Sequence, residues 1–116
     1  MIVLLRFLFA GVLVAMLVVT GWASSRVALW DIPADVGTHP WFIATLFDTY
    51  FAFLTFWGWV AYRERTWAAR LGWLVAILLL GNIAMAVYLL IRLFQLPRGA
   101  SVRDLLLRPA TGDLPP

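Results

Sequence analysis

Residues 39–94, HPWFIATLFDTYFAFLTFWGWVAYRERTWAARLGWLVAILLLGNIAMAVYLLIRLF, form two long apolar segments joined by the charged turn Arg63-Glu64-Arg65-Thr66-Trp67-Ala68-Ala69-Arg70. Each segment is close to the ~20 residues that an α-helix needs to cross a ~30 Å hydrocarbon layer. Asp48 lies inside the first of them. A carboxylate at that depth costs several kcal/mol unless it is neutral, paired or hydrated, which makes Asp48 the first candidate functional residue.

The rest of the chain has the same character. Of its 116 residues 64% are hydrophobic and 13% charged, too little polar surface to enclose the apolar residues in water. The sequence therefore predicts an all-α membrane protein, with the bilayer as its first partner. Cysteine is absent, which removes disulfides and thiolate metal sites. The net charge is +3, and every basic residue is an arginine. No basic run with interleaved aromatics points to nucleic acid, so the charge is assigned to anionic headgroups and orientation.

Residues 2–23 predict a first helix, interrupted only by Arg6 near its start and Thr20 near its end. A signal peptide is the rival reading, because Trp22-Ala23-Ser24-Ser25 offers small residues at a cleavage point. The apolar run is longer than the about 7–15 residues of such a core. Arg6 lies about one turn inside, where it can anchor at the headgroups. Gly11 and Ala15, four apart, would admit close approach of another helix.

Residues 24–38 are richer in polar residues, proline and glycine and predict a surface loop, with Asp31 capping a short turn that Gly37 ends. A second helix over residues 40–62 opens at Pro40. Trp41, Thr45, Asp48, Ala52, Thr55 and Trp59 share one of its faces, a stripe expected to meet protein. A third helix over residues 71–94 is expected to return antiparallel, with Gly81 and Asn82 near its middle and Met85, Tyr88 and Arg92 below them. Pro97-Arg98-Gly99 ends it. Ser101-Val102-Arg103-Asp104 reads as a capping motif opening a short amphipathic helix, and residues beyond Pro109 as a disordered tail. The layout is thus three transmembrane helices in a domain of residues 1–96, with residues 97–116 at the surface.

Tryptophans fall at both expected boundaries: Trp22, Trp30 and Trp41 at one, Trp57, Trp59, Trp67 and Trp73 towards the other. The arginines divide between the two sides. Arg6 and the short turn favour a cytoplasmic turn, whereas Arg26, Arg92, Arg98, Arg103 and Arg108 favour the reverse; the short turn is taken as inside.

Heights follow from the ~1.5 Å rise per helical residue. Asp48 falls about 11 Å below the Trp41 boundary, within the range of Tyr88 and Asn82, and Arg92 leans inward from the same boundary. Three readings of Asp48 follow: a helix-binding contact with Arg92 or with Thr45, Tyr88 and Asn82; a polar contact to another subunit; or a proton or substrate site. His39, the single histidine, cannot build a metal site without cysteine or clustered acids, and is assigned to starting the second helix. A haem or pigment ligand within a larger complex is the competing role. Glu64, flanked by arginines, reads as an exposed ion pair.

The runs His39-Pro-Trp-Phe-Ile-Ala-Thr-Leu-Phe-Asp48-Thr-Tyr50, Val60-Ala-Tyr-Arg-Glu64-Arg, Leu80-Gly81-Asn82-Ile-Ala-Met-Ala-Val-Tyr88 and Leu96-Pro-Arg-Gly-Ala-Ser resemble the DUF1475 family of small bacterial membrane proteins. The resemblance covers nearly the whole chain and supports the three-span layout; the expected location is the bacterial inner membrane, as a multi-pass protein. It carries no activity. No nucleophile-base set, phosphate-binding loop or paired catalytic carboxylates occur, and no cofactor or metal is expected. The expected function is a non-enzymatic accessory or assembly subunit whose stripe of Thr45, Asp48, Ala52 and Thr55 packs against the third helix or a partner, another membrane subunit or a second copy, with Gly11, Ala15 and Gly81 as further helix-packing positions. The alternative is a self-associating transporter with Asp48 as its protonatable site.

Overall fold

The computed structural model describes residues 1–108, and the expected tail beyond Pro109 lies outside them. Among the described residues every regular element is helical: α1 Ile2–Arg26, α2 Ala34–Gly37, α3 Pro40–Arg63, α4 Trp67–Leu80, α5 Asn82–Gln95 and α6 Val102–Leu106, with a 3-10 turn at Leu29–Asp31. Two helices are long and apolar enough to cross a membrane, α1 and α3.

Local chemistry sets the helix starts. Pro40 occupies the first turn of α3, where its missing N–H has no partner to lose, and the His39 ring accepts from the Trp41 N–H at 3.2 Å. Thr66 caps α4 by accepting from the Ala69 N–H at 3.2 Å. At α6 the Ser101 N–H donates to the Asp104 carboxylate at 2.8 Å, closing the expected capping box. Pro33 precedes α2 and Gly37 ends it, but Asp31 provides no side-chain cap.

The expected continuous helix over residues 71–94 is corrected to two helices of 14 residues each, α4 and α5, broken at Gly81. Gly81 has φ +57° and ψ −125°, a conformation open to a residue without a Cβ. The chain reverses there. Trp73 on α4 and Tyr88 on α5 have ring centroids 4.9 Å apart; one straight helix would hold their positions roughly 22 Å apart. The two helices form a hairpin whose arms, at about 21 Å, are shorter than a ~30 Å hydrocarbon layer.

Phe53 of α3 presses on the hairpin tip at Gly81, and Val60, Ile77, Ala84 and Tyr88 complete the buried cluster below it. A second cluster, Leu89, Leu93 and Leu105, takes Ile2, Leu5 and Phe9 of α1 against it. Those α1 positions follow the three-to-four spacing of one helix face. No α1 residue is fully buried, and its other faces expose Leu4, Phe7, Leu8, Val14, Leu17 and Val18.

Folding back at Gly81 gathers the turn Glu64–Thr66, the end of α5, α6 and the start of α1 at one end of the molecule. The expected division of arginines is corrected accordingly. Arg92, Arg98, Arg103 and Arg108 lie with Arg6, Arg63, Arg65 and Arg70, and Arg26 alone remains at the other end with Asp31 and Asp35.

Candidate functional site

The polar centre of the described molecule is built from the end of α3 and the second half of α5. Glu64 follows the last residue of α3, and its carboxylate accepts from the Tyr88 hydroxyl at 3.0 Å. It also forms an ion pair with Arg92, one turn further along α5. Arg92 donates in addition to the Gln95 side chain at 2.8 Å, and its guanidinium stacks over the Tyr88 ring at 5.1 Å. The side chains of Arg92 and Glu64 are 19% and 12% exposed, so solvent screens their attraction only weakly.

Tyr88 is fully buried. Phe56, Trp59 and Trp73 meet its ring edge-on, with centroids 6.2, 5.6 and 4.9 Å away, a geometry favoured by the aromatic quadrupole. Its hydroxyl is aimed at Glu64. The Arg92 Nε is also buried, with no hydrogen-bond partner among the described residues. The expected exposed ion pair at Glu64 is therefore corrected to a half-buried Tyr88–Glu64–Arg92 network whose cation is 28 residues away in sequence.

Three further contacts tie α6 and α1 to this centre. Arg63, 6% exposed, donates from Nε to the Leu105 carbonyl at 2.7 Å, and the Trp59 indole N–H donates to the Leu106 carbonyl at 2.9 Å. Arg6 donates to the Leu93 carbonyl at 2.9 Å and stacks on Phe94 at 4.8 Å, satisfying a carbonyl in the last turn of α5.

Asp48 stands apart from all of this. It is exposed on the N-terminal half of α3, and no hydrogen bond or ion pair engages it among the described residues. The expected approach of Asp48 to Arg92, Tyr88 and Asn82 is corrected: Arg92 and Tyr88 sit at the opposite end of α3, because the hairpin reverses their height. Asn82 is exposed at the hairpin tip, and its side chain makes no hydrogen bond among the described residues. Thr45 and Thr55 turn their hydroxyls back to the carbonyls of Trp41 and Phe51 at 2.8 and 2.9 Å. Thr45, Asp48, Ala52 and Thr55 form an exposed stripe, so within one chain the expectation that this stripe meets protein is not met.

Of the expected packing residues, Gly81 alone is in tight contact. Gly11 and Ala15 are exposed, and a Cβ on Gly11 would meet nothing within 4 Å; α1 packs instead through Ile2, Leu5 and Phe9. Among the described residues no three His, Cys, Asp or Glu side chains lie together as metal ligands. A shallow groove on α4 is lined by Ala69, Gly72, Trp73 and Ala76.

Reading the sequence residue by residue missed the pairing of Glu64 with Tyr88 and Arg92. The signal was present in the Gly81-Asn82 dipeptide, a turn former in the middle of an apolar run. No curated protein and no solved structure matches the chain. A family model described as Protein of unknown function (DUF1475) matches residues 1–114, nearly the entire length, and the chain belongs to that family.

Proposed function

We propose that this chain is a non-enzymatic assembly subunit of the bacterial inner membrane, docking through the Asp48 face of α3 onto another membrane helix. The carrying observation is the free carboxylate. Asp48 lies about 12 Å along α3 from Pro40, on an exposed face without a partner among the described residues. In hydrocarbon such a group needs cover from protein or water. Thr45, Ala52 and Thr55 beside it are small enough for a close helix approach.

The supporting topology has two crossings, α1 and α3, with α4 and α5 as a re-entrant hairpin. Eight of nine arginines then fall on one side, against Arg26 on the other, which favours a cytoplasmic location for that end. The test is gentle extraction followed by mass measurement of the intact assembly. A heavier complex that Asp48→Ala dissolves, with helix content and membrane insertion unchanged, supports the reading; a lone wild-type monomer contradicts it.

A second reading is favoured by the break at Gly81. Among the described residues the backbone bonds made there outside the two helices are Gly81 N–H to Ile77 O (2.7 Å) and Met85 N–H to Gly81 O (3.1 Å). Helix ends inside the slab are a recurring feature of transporter sites, and a self-associated transporter would use Asp48 as its proton acceptor. Reconstituted vesicles separate the two: proton-coupled solute flux abolished by Asp48→Asn favours transport, and no flux with an intact assembly favours the subunit.

A further inference from the structure

The geometry points to a binding surface for anionic phospholipid headgroups at the arginine-rich end, centred on the exposed pair Arg98 and Arg103. Among the described residues this end carries eight arginines against two acids, Glu64 and Asp104. Glu64 is committed to Arg92, and Asp104 is turned onto the Ser101 N–H. Arg6, Arg63, Arg70 and Arg108 donate to the carbonyls of Leu93, Leu105, Glu64 and Tyr62. Carbonyl acceptors orient a guanidinium without neutralising it, so the positive field of this end persists. Arg98 and Arg103 are exposed and make no hydrogen bond or ion pair among the described residues.

The surroundings favour lipid over a polyanion in solution. Leu106 and Leu107 follow Arg103 and are 49% and 43% exposed, and Trp67 is exposed beside Arg70, its ring 4.9 Å from the guanidinium. Apolar groups beside cations that no carboxylate neutralises match the boundary between acyl chains and phosphates. The segment is also held in place, because Leu105 is buried and the Trp59 and Arg63 bonds pin α6 to α3. An ordered cationic surface loses less entropy on binding than a mobile tail. This inference rests on the membrane setting alone and not on the partner of Asp48.

The full chain in neutral detergent is mixed with equal amounts of phosphatidylglycerol and phosphatidylcholine, and the lipid retained on it is weighed by native mass spectrometry. Phosphatidylglycerol is expected to dominate, with its preference falling as salt rises. Arg98→Gln with Arg103→Gln is expected to cut that preference by roughly fivefold per arginine, whereas Arg26→Gln at the other end leaves it unchanged. Equal retention of the two lipids by the wild-type chain overturns the proposal, as does a preference that the double variant keeps. Displacement of the lipid by millimolar inorganic phosphate also overturns it, since the site would then belong to free phosphate. The assembly reading is scored separately, by the mass of the complex.

Discussion

The Phe53 ring lies 2.7 Å from the point where a Cβ on Gly81 would stand. This contact fixes the hairpin tip against α3, and it couples a backbone requirement to a packing requirement at one residue. Gly81→Ala meets both: a side chain at φ +57° and a clash with an aromatic ring. A loss of about 2–4 kcal/mol is expected, summing strain and overpacking. Unfolding in mixed micelles measures it, and Phe53→Leu in the same chain is expected to restore the steric part only.

Glu64 and Arg92 hold the open end of the hairpin to α3. Replacing either partner strands a mostly buried charge, and Glu64→Gln or Arg92→Gln is expected to cost about 2–4 kcal/mol, below the fully buried case because both retain some exposure. The double variant should cost less than the sum, with a coupling of about 1–3 kcal/mol. Strict additivity in the double-mutant cycle would mean that the pair does not exist.

Tyr88 separates hydroxyl from ring. Tyr88→Phe keeps the aromatic cage of Phe56, Trp59 and Trp73 and removes the 3.0 Å bond to Glu64, for an expected loss of about 1–2 kcal/mol. Tyr88→Ala empties a fully buried site and should cost about 3–5 kcal/mol. Equal losses in the same unfolding assay would show that the hydroxyl carries the whole effect.

Arg63 docks α6, and its removal should act locally. Arg63→Met preserves the apolar stem and deletes the donor to the Leu105 carbonyl. Hydrogen exchange at residues 102–107 is expected to rise about tenfold or more, a bond's worth of local stability, with exchange in α3 near Val60 unchanged.

Much of the helix layout was legible in the sequence. Pro40 and His39 start α3, Gly37 ends α2, and Ser101 with Asp104 opens α6. Each is a local signal, carried by a side chain and the backbone within one turn. The hairpin was not legible by the same means, because hydropathy responds to composition, and two apolar arms of 14 residues read as one continuous span. A continuous span would run α5 in the opposite direction, which aims Arg92 at Asp48 and leaves Glu64 with its sequence neighbours. The Tyr88–Glu64–Arg92 network joins residues far apart in the chain, and no periodicity within a helix encodes it.

The reversal at Gly81 is the claim from which the arginine-rich end and the unpartnered Asp48 both follow. The chain has no cysteine, so single cysteines placed at Asp35, Arg65 and Ser101 report their side of the membrane through a thiol reagent that cannot cross it. Arg65→Cys and Ser101→Cys are expected to react from the same side, with Asp35→Cys reacting from the other. Labelling of Ser101→Cys together with Asp35→Cys, opposite to Arg65→Cys, would contradict the hairpin and restore a third crossing.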